Sequence, residues 1–133
     1  MTTTPQNSPV SVLVVEDDEQ IAHLLQFMLE HEKYTVHLAR HGLLAKQFIE
    51  QEVPPDLVLL DVMLPFYDGF SLIALMRAHP AWKSTPVIML TAKAQEKDIV
   101  RALQLGANDY ILKPFEPAEL LARVKRGLSL RTR

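Results

Sequence analysis

Two rhythms of apolar residues alternate along the chain. Val10 to Val15 is a largely aliphatic, β-branched run that stops at Glu16-Asp17-Asp18, the pattern of a buried strand. Ile21, Leu24, Leu25, Met28 and Leu29 then recur at helical spacing. Tyr34 to Leu38 predicts a second strand and Gly42 to about Gln51 a second helix, which Pro54-Pro55 closes off. Leu57-Val58-Leu59-Leu60 has no polar member, so it reads as a central strand covered on both faces, and it ends at Asp61. A turn-rich loop, Met63 to Gly69, leads into a helix from about Phe70 that must stop before Pro80. Val87 to Leu90 makes a fourth strand, ending at Thr91. Glu96 to Leu105 follows as a helix with Ile99, Val100 and Leu103 as its apolar stripe and Gly106 as its cap. Asp109 to Leu112 is the fifth strand, ending at Lys113-Pro114. Pro117 opens a last helix whose Leu120, Leu121, Val124 and Leu128 face inward.

Strands alternating with helices imply right-handed crossovers and a parallel sheet covered on both sides. The fold class is therefore α/β, a three-layer doubly wound (flavodoxin-like) domain. At 133 residues the chain suits one such domain. The polar stretch 1–9 is expected to be a disordered leader, residues 10–128 the domain, and 129–133 a basic tail or the start of a linker. A net charge of −2 gives no reason to expect direct contact with nucleic acid or membrane, and no apolar run is long enough to span a bilayer. The absence of cysteine rules out disulfide and thiol chemistry and fits a cytoplasmic protein.

In a parallel sheet the carboxyl ends of the strands share one edge, and ligands of open α/β sheets bind there. Just past strands one, three, four and five stand Glu16-Asp17, Asp61, Thr91 and Lys113. Three converging carboxylates repel one another by about a kcal/mol or more per close pair, so they call for a cation. An all-oxygen set suits Mg²⁺, which commonly bridges to phosphate oxygens. Lys113 offers a point charge to a phosphoryl group and Thr91 a hydroxyl, while a central carboxylate such as Asp61 can become an aspartyl phosphate. Singly, each residue has a structural use: Asp18 and its neighbours as a helix cap, Thr91 near a helix start, Lys113 on the surface. The five histidines are scattered over helices and turns and point to no metal site.

Val14-Val15-Glu16-Asp17-Asp18, Leu60 to Pro65 with Asp68-Gly69, Leu90-Thr91-Ala92 and Gly106 to Phe115 resemble the motifs of the receiver (CheY-like) domain of two-component response regulators, from about Val10 to Leu128. The resemblance implies a sheet of order 2-1-3-4-5 with five helices. It implies Asp61 as phosphoacceptor from a histidine kinase or phosphotransfer protein, and Mg²⁺ held by Asp17, Asp61 and the Met63 carbonyl, with Glu16 acting through water. Thr91 and Lys113 would bind phosphoryl oxygens, Lys113-Pro114 would be cis, and Tyr110 would switch with Thr91. The surface of helix four, strand five and helix five would then signal to an output domain or a partner protein. Such a protein catalyses only its own phosphorylation and dephosphorylation, and transcription control is among the outputs implied. Regulators of the winged-helix DNA-binding subfamily carry ion pairs across a homodimer of that surface. Asp109, Glu119 and Arg123 fit the pattern, whereas Ile99, Leu105 and Leu130 stand where charges belong.

Two other classes compete. A hydrolase or phosphotransferase with an Asp nucleophile lacks a general acid two residues on, where Met63 stands. A nucleotide binder lacks a glycine-rich loop after the first strand, where acids repel phosphate. The chain also departs from the resemblance: Phe66-Tyr67 follow Pro65 where glycine is usual. Packing beneath the loop is one reading. Restriction of phosphodonors, or shaping of the kinase contact by Phe66, is the other. Trp82 is open to either packing or partner contact.

Overall fold

A computed structural model describes residues 9–131. The leader expected over 1–9 lies, Pro9 apart, outside the described residues, as do Thr132 and Arg133 of the tail. The strands are β1 (Ser11–Val15), β2 (Thr35–Ala39), β3 (Leu57–Leu60), β4 (Val87–Thr91) and β5 (Asp109–Leu112). Between and after them run α1 (Glu19–His31), α2 (Gly42–Gln51), α3 (Gly69–Ala78), α4 (Glu96–Gln104) and α5 (Pro117–Leu128). All strand pairs are parallel, in the order β2-β1-β3-β4-β5.

Period-two alternation sorts the buried strand residues into two cores. Val12, Val14, Leu57, Leu59, Ile88 and Leu90 meet Leu25, Met28 and Leu29 of α1 and Leu120, Val124 and Leu128 of α5. Leu13, Val15, Val58, Leu60, Val87 and Met89 meet α2, α3 and Ala102 of α4 on the other face. Trp82 is fully buried there and stands edge-on to Phe48, so packing is its role.

Local chemistry fixes the helix starts. The Asp18 carboxylate caps α1 by accepting the Ile21 N–H, Asp68 caps α3 through the Ser71 N–H, and Pro117 occupies the first turn of α5. Gly106 closes α4 with φ of +108°, a conformation open to glycine at little cost.

Two apolar stripes are corrected. In α1, Leu24 is exposed and Ala22 takes the inward position. In α4, Val100 and Leu103 are 42% and 49% exposed, while Ala102 and Asp98 face in. The small Ala102 lets α4 sit close to the sheet, and Asp98 turns toward Lys93, with Nζ and Oδ2 3.8 Å apart. The larger aliphatics are thereby left on the outer face. Periodicity defines a stripe, but the neighbours decide which side is covered.

Candidate functional site

β1 is hydrogen-bonded to both β2 and β3, so the chain leaves β1 and β3 side by side, and β4 and β5 follow in order. That register carries Glu16, Asp17, Asp61, Thr91 and Lys113 to one edge. The residues implied by the resemblance do come together. One carboxylate oxygen from each of Glu16, Asp17 and Asp61 lies within 4.8 Å of the others. Lys113 Nζ lies 2.7 Å from Glu16 Oε1 and 2.8 Å from Asp61 Oδ2. The Met63 N–H donates to Asp61 Oδ1 at 3.1 Å, and the Asp18 N–H to Glu16 Oε2 at 3.2 Å. Lys113-Pro114 is cis.

Burial sets the electrostatics. Glu16 is 1% exposed and Asp61 5%, whereas Asp17 reaches solvent. Burial pushes the Glu16 carboxyl above its ordinary range, and the Asp61 charge adds to the rise against the opposing pull of Lys113. Burial also pulls on the Lys113 ammonium, but its bonds to Asp61 and Glu16 outweigh it and hold the group protonated beyond its usual range. An all-oxygen, multiply anionic donor set of this size fits a hard divalent cation such as Mg²⁺. Beside it runs a cleft of about 540 Å³ lined by Asp17, Met63, Pro65, Lys93 and Arg101 among others.

Thr91, fully buried, and Tyr110 meet at Lys93. The Lys93 N–H donates to Thr91 Oγ1 at 3.3 Å, and the Tyr110 hydroxyl donates to the Lys93 carbonyl at 2.9 Å. One residue of the loop after β4 thus joins both side chains.

The structure adds residues that the sequence did not single out. The Arg40 guanidinium at the end of β2 donates to the carbonyls of Glu16 and Asp17, at 3.3 and 3.2 Å. It braces the loop that carries two of the three acids. Next to it, Gly42 donates to the Pro65 carbonyl at 2.9 Å, tying the loop after β3 to α2. Both contacts are to backbone atoms, so no side-chain motif announces them. Asp109, Glu119 and Arg123 pair within the chain: Arg123 contacts Asp109 and Glu119 at 2.9 Å each, and Arg126 reaches Asp109 at 2.8 Å. Phe66 does not pack beneath its loop, being 73% exposed, while Tyr67 lies under Lys46 with Nζ 5.7 Å from its ring centre.

The family model described as the response regulator receiver domain matches residues 12–125. The chain is 45% identical over 115 residues to the transcriptional regulatory protein GltR of Pseudomonas aeruginosa, covering 86% of this chain and 47% of that protein. It therefore spans about half the length of that relative. Its fold matches a CheY-like response regulator receiver domain protein from Methanospirillum hungatei with a TM-score of 0.84 at 34% identity, covering 92% of this chain and 95% of that one. It matches the receiver domain of sensor histidine kinase PA1611 from Pseudomonas aeruginosa, solved with a magnesium ion coordinated in its active site cleft, with a TM-score of 0.83 at 34% identity. That match covers 92% of this chain and 99% of the other.

Proposed function

The chain belongs to the response regulator receiver family, and on that premise we propose that Asp61 accepts a phosphoryl group from a phosphohistidine of a sensor kinase or phosphotransfer protein. The observation that carries this reading is a nearly buried Asp61 whose two oxygens are held by the Met63 N–H and the Lys113 ammonium, with Glu16 and Asp17 beside it. A carboxylate so oriented attacks phosphorus from a fixed direction. The new P–O bond forms as the P–N bond to histidine breaks, and the imidazole leaves with the electron pair. Lys113 moves from Asp61 Oδ2 to a phosphoryl oxygen, and the Thr91 hydroxyl donates to another.

Asp17, Asp61 and the Met63 carbonyl would hold Mg²⁺ directly, with Glu16 acting through water. When bound, the ion offsets the acids' charge and draws the phosphoryl oxygens. Its fit rests on the three clustered carboxylates.

Phosphorylation adds negative charge at Asp61 and recruits Thr91. As its hydroxyl turns to the phosphoryl group, Thr91 gives up the Lys93 N–H, and Lys93 carries the change to Tyr110 through its carbonyl. Taking the population from mostly inactive to mostly active requires about 5.5 kcal/mol of preference, within reach of a few charge-assisted contacts.

The output is read on the surface of α4, β5 and α5, where Val100, Leu103 and Leu112 lie exposed. The reader is an output domain or a partner protein, and a homodimer formed on phosphorylation is a third occupant of the same face. The likeness to a transcriptional regulatory protein of about twice the length supports a role in transcription control, exercised in the cytoplasm, with residues 10–128 as the receiver domain and 129–133 as a basic tail or the start of a linker. Among the described residues, no helix is long and apolar enough to cross a membrane.

Incubation with Mg²⁺ and phosphoramidate, followed by intact-mass measurement, tests the reading. The expected result is one phosphoryl group per chain, stable to acid, labile to alkali and absent in Asp61→Asn. Repeated turnover of a phosphorylated small molecule, or labelling that survives in Asp61→Asn, overturns it.

A further inference from the structure

Phe66 stands in a conformation that bulky residues avoid. Its φ is +75°, and the Tyr67 N–H donates to the Pro65 carbonyl at 3.0 Å across it. A hydrogen bond between residues two apart with a positive central φ defines the rare, strained form of the γ-turn. A positive φ strains any residue that carries a β-carbon, and glycine takes it almost without cost. The turn is wedged in place. Its Pro65 carbonyl also accepts the Gly42 N–H at 2.9 Å, and a β-carbon on Gly42 would collide with the Tyr67 carbonyl oxygen. His41, whose Nδ1 accepts the Leu44 N–H to cap α2, sets its ring tilted against that of Phe66, with 4.9 Å between their centres. The phenyl is braced at its root, yet it is 73% exposed.

Beyond its contact with His41, a strained turn that leaves most of a large apolar ring in water gains the domain little. It has a use at the rim. Asp61 is only 5% exposed, so a histidine on another protein reaches it only when that protein's surface closes over the surrounding loops. Met63, 56% exposed, and Pro65, which lines the cleft with Asp17, belong to the same loop as Phe66. We propose that Phe66 is a recognition residue for the phosphodonor protein, an aromatic anchor held out by its strained turn to be buried when the donor docks. This rests on the reading of Asp61 as the acceptor. A buried aromatic at the centre of an interface commonly dominates binding, whereas a small phosphodonor enters without touching this ring.

The test compares two donors on Phe66→Gly, Phe66→Asn and Phe66→Tyr. One donor is phosphoramidate. The other is the fastest member of a panel of purified, autophosphorylated histidine-kinase transmitter domains. Glycine and asparagine relieve the turn, so urea denaturation is expected to find both variants at least as stable as the parent, and misfolding does not account for lost transfer. Phosphoramidate labelling of Asp61 is expected to change by less than about two-fold, while kcat/KM from the transmitter domain falls by about ten-fold or more, chiefly through KM. Phe66→Tyr keeps the ring and retains most of the transfer. Unchanged transfer from the transmitter domain overturns the proposal, as does an equal loss with both donors, which would place the ring's effect on the acceptor. Failure of phosphoramidate to label Asp61 in the parent chain overturns the acceptor reading and the proposal with it.

Discussion

Asp17→Asn tests the electrostatics of the acidic cluster without disturbing its frame, because Arg40 and the Asp18 cap hold the loop by atoms other than the Asp17 carboxylate. The Asp17 oxygen lies within 4.8 Å of oxygens on both Glu16 and Asp61. At that separation a charge pair repels by ~3.5 kcal/mol at an effective dielectric of 20 and by ~0.9 kcal/mol in bulk water. Asp17 is exposed, so the lower figure applies: about 2 kcal/mol over two pairs, of which the Lys113 charge offsets roughly half. Removing this charge is therefore expected to stabilise the metal-free protein by about 1 kcal/mol, a rise in Tm of roughly 3–5 °C for a domain of this size. Mg²⁺ reverses the comparison. At ten times its Kd it stabilises the parent by about 1.4 kcal/mol, and it should scarcely move the variant. Thermal denaturation at pH 7, in EDTA and across a Mg²⁺ titration, measures both effects, and the gain in EDTA should shrink as salt is added. A variant less stable than the parent in EDTA, or one that Mg²⁺ shifts as far as the parent, refutes the reasoning.

Further expectations follow from the supports of the site. Gly42→Ala forces a β-carbon against the Tyr67 and Pro65 backbone, and urea denaturation should show a loss of about 2–3 kcal/mol. Arg40→Lys keeps the charge but loses the fork across two carbonyls, so calorimetry should find Mg²⁺ binding weakened about three- to ten-fold. Arg40→Met should weaken it as well; tighter binding there means that charge, not positioning, is what Arg40 supplies. Glu16, with its folded-state pKa raised above the ordinary 4.5, binds its proton more tightly folded than unfolded, so its ionisation removes stability as pH rises from 4.5 through the folded value. In EDTA, the stability of Glu16→Gln relative to the parent should climb over that window and level off above it. A flat difference contradicts the sign.

The chain's own order of residues determined the element sequence, the fold class and the identity of Glu16, Asp17, Asp61, Thr91 and Lys113 as a convergent set. These are local facts. A strand is announced by its run of aliphatic residues, its end by the turn or charged residue that follows, and parallel topology then brings those ends to one edge. Tertiary structure decided the rest. Which side of α4 is covered depends on what the sheet and Lys93 offer it, so Val100 and Leu103 point outward although their spacing is that of a core face. The bracing of the acidic loop by Arg40, the seating of Pro65 on Gly42 and the link from Thr91 through Lys93 to Tyr110 all run through backbone groups. Every residue carries such groups, so no residue type marks the one that will be used. Phe66 shows both limits together: the sequence marked it as out of place, but only the packing of its turn against His41 and Gly42 determined that the ring would stand in solvent.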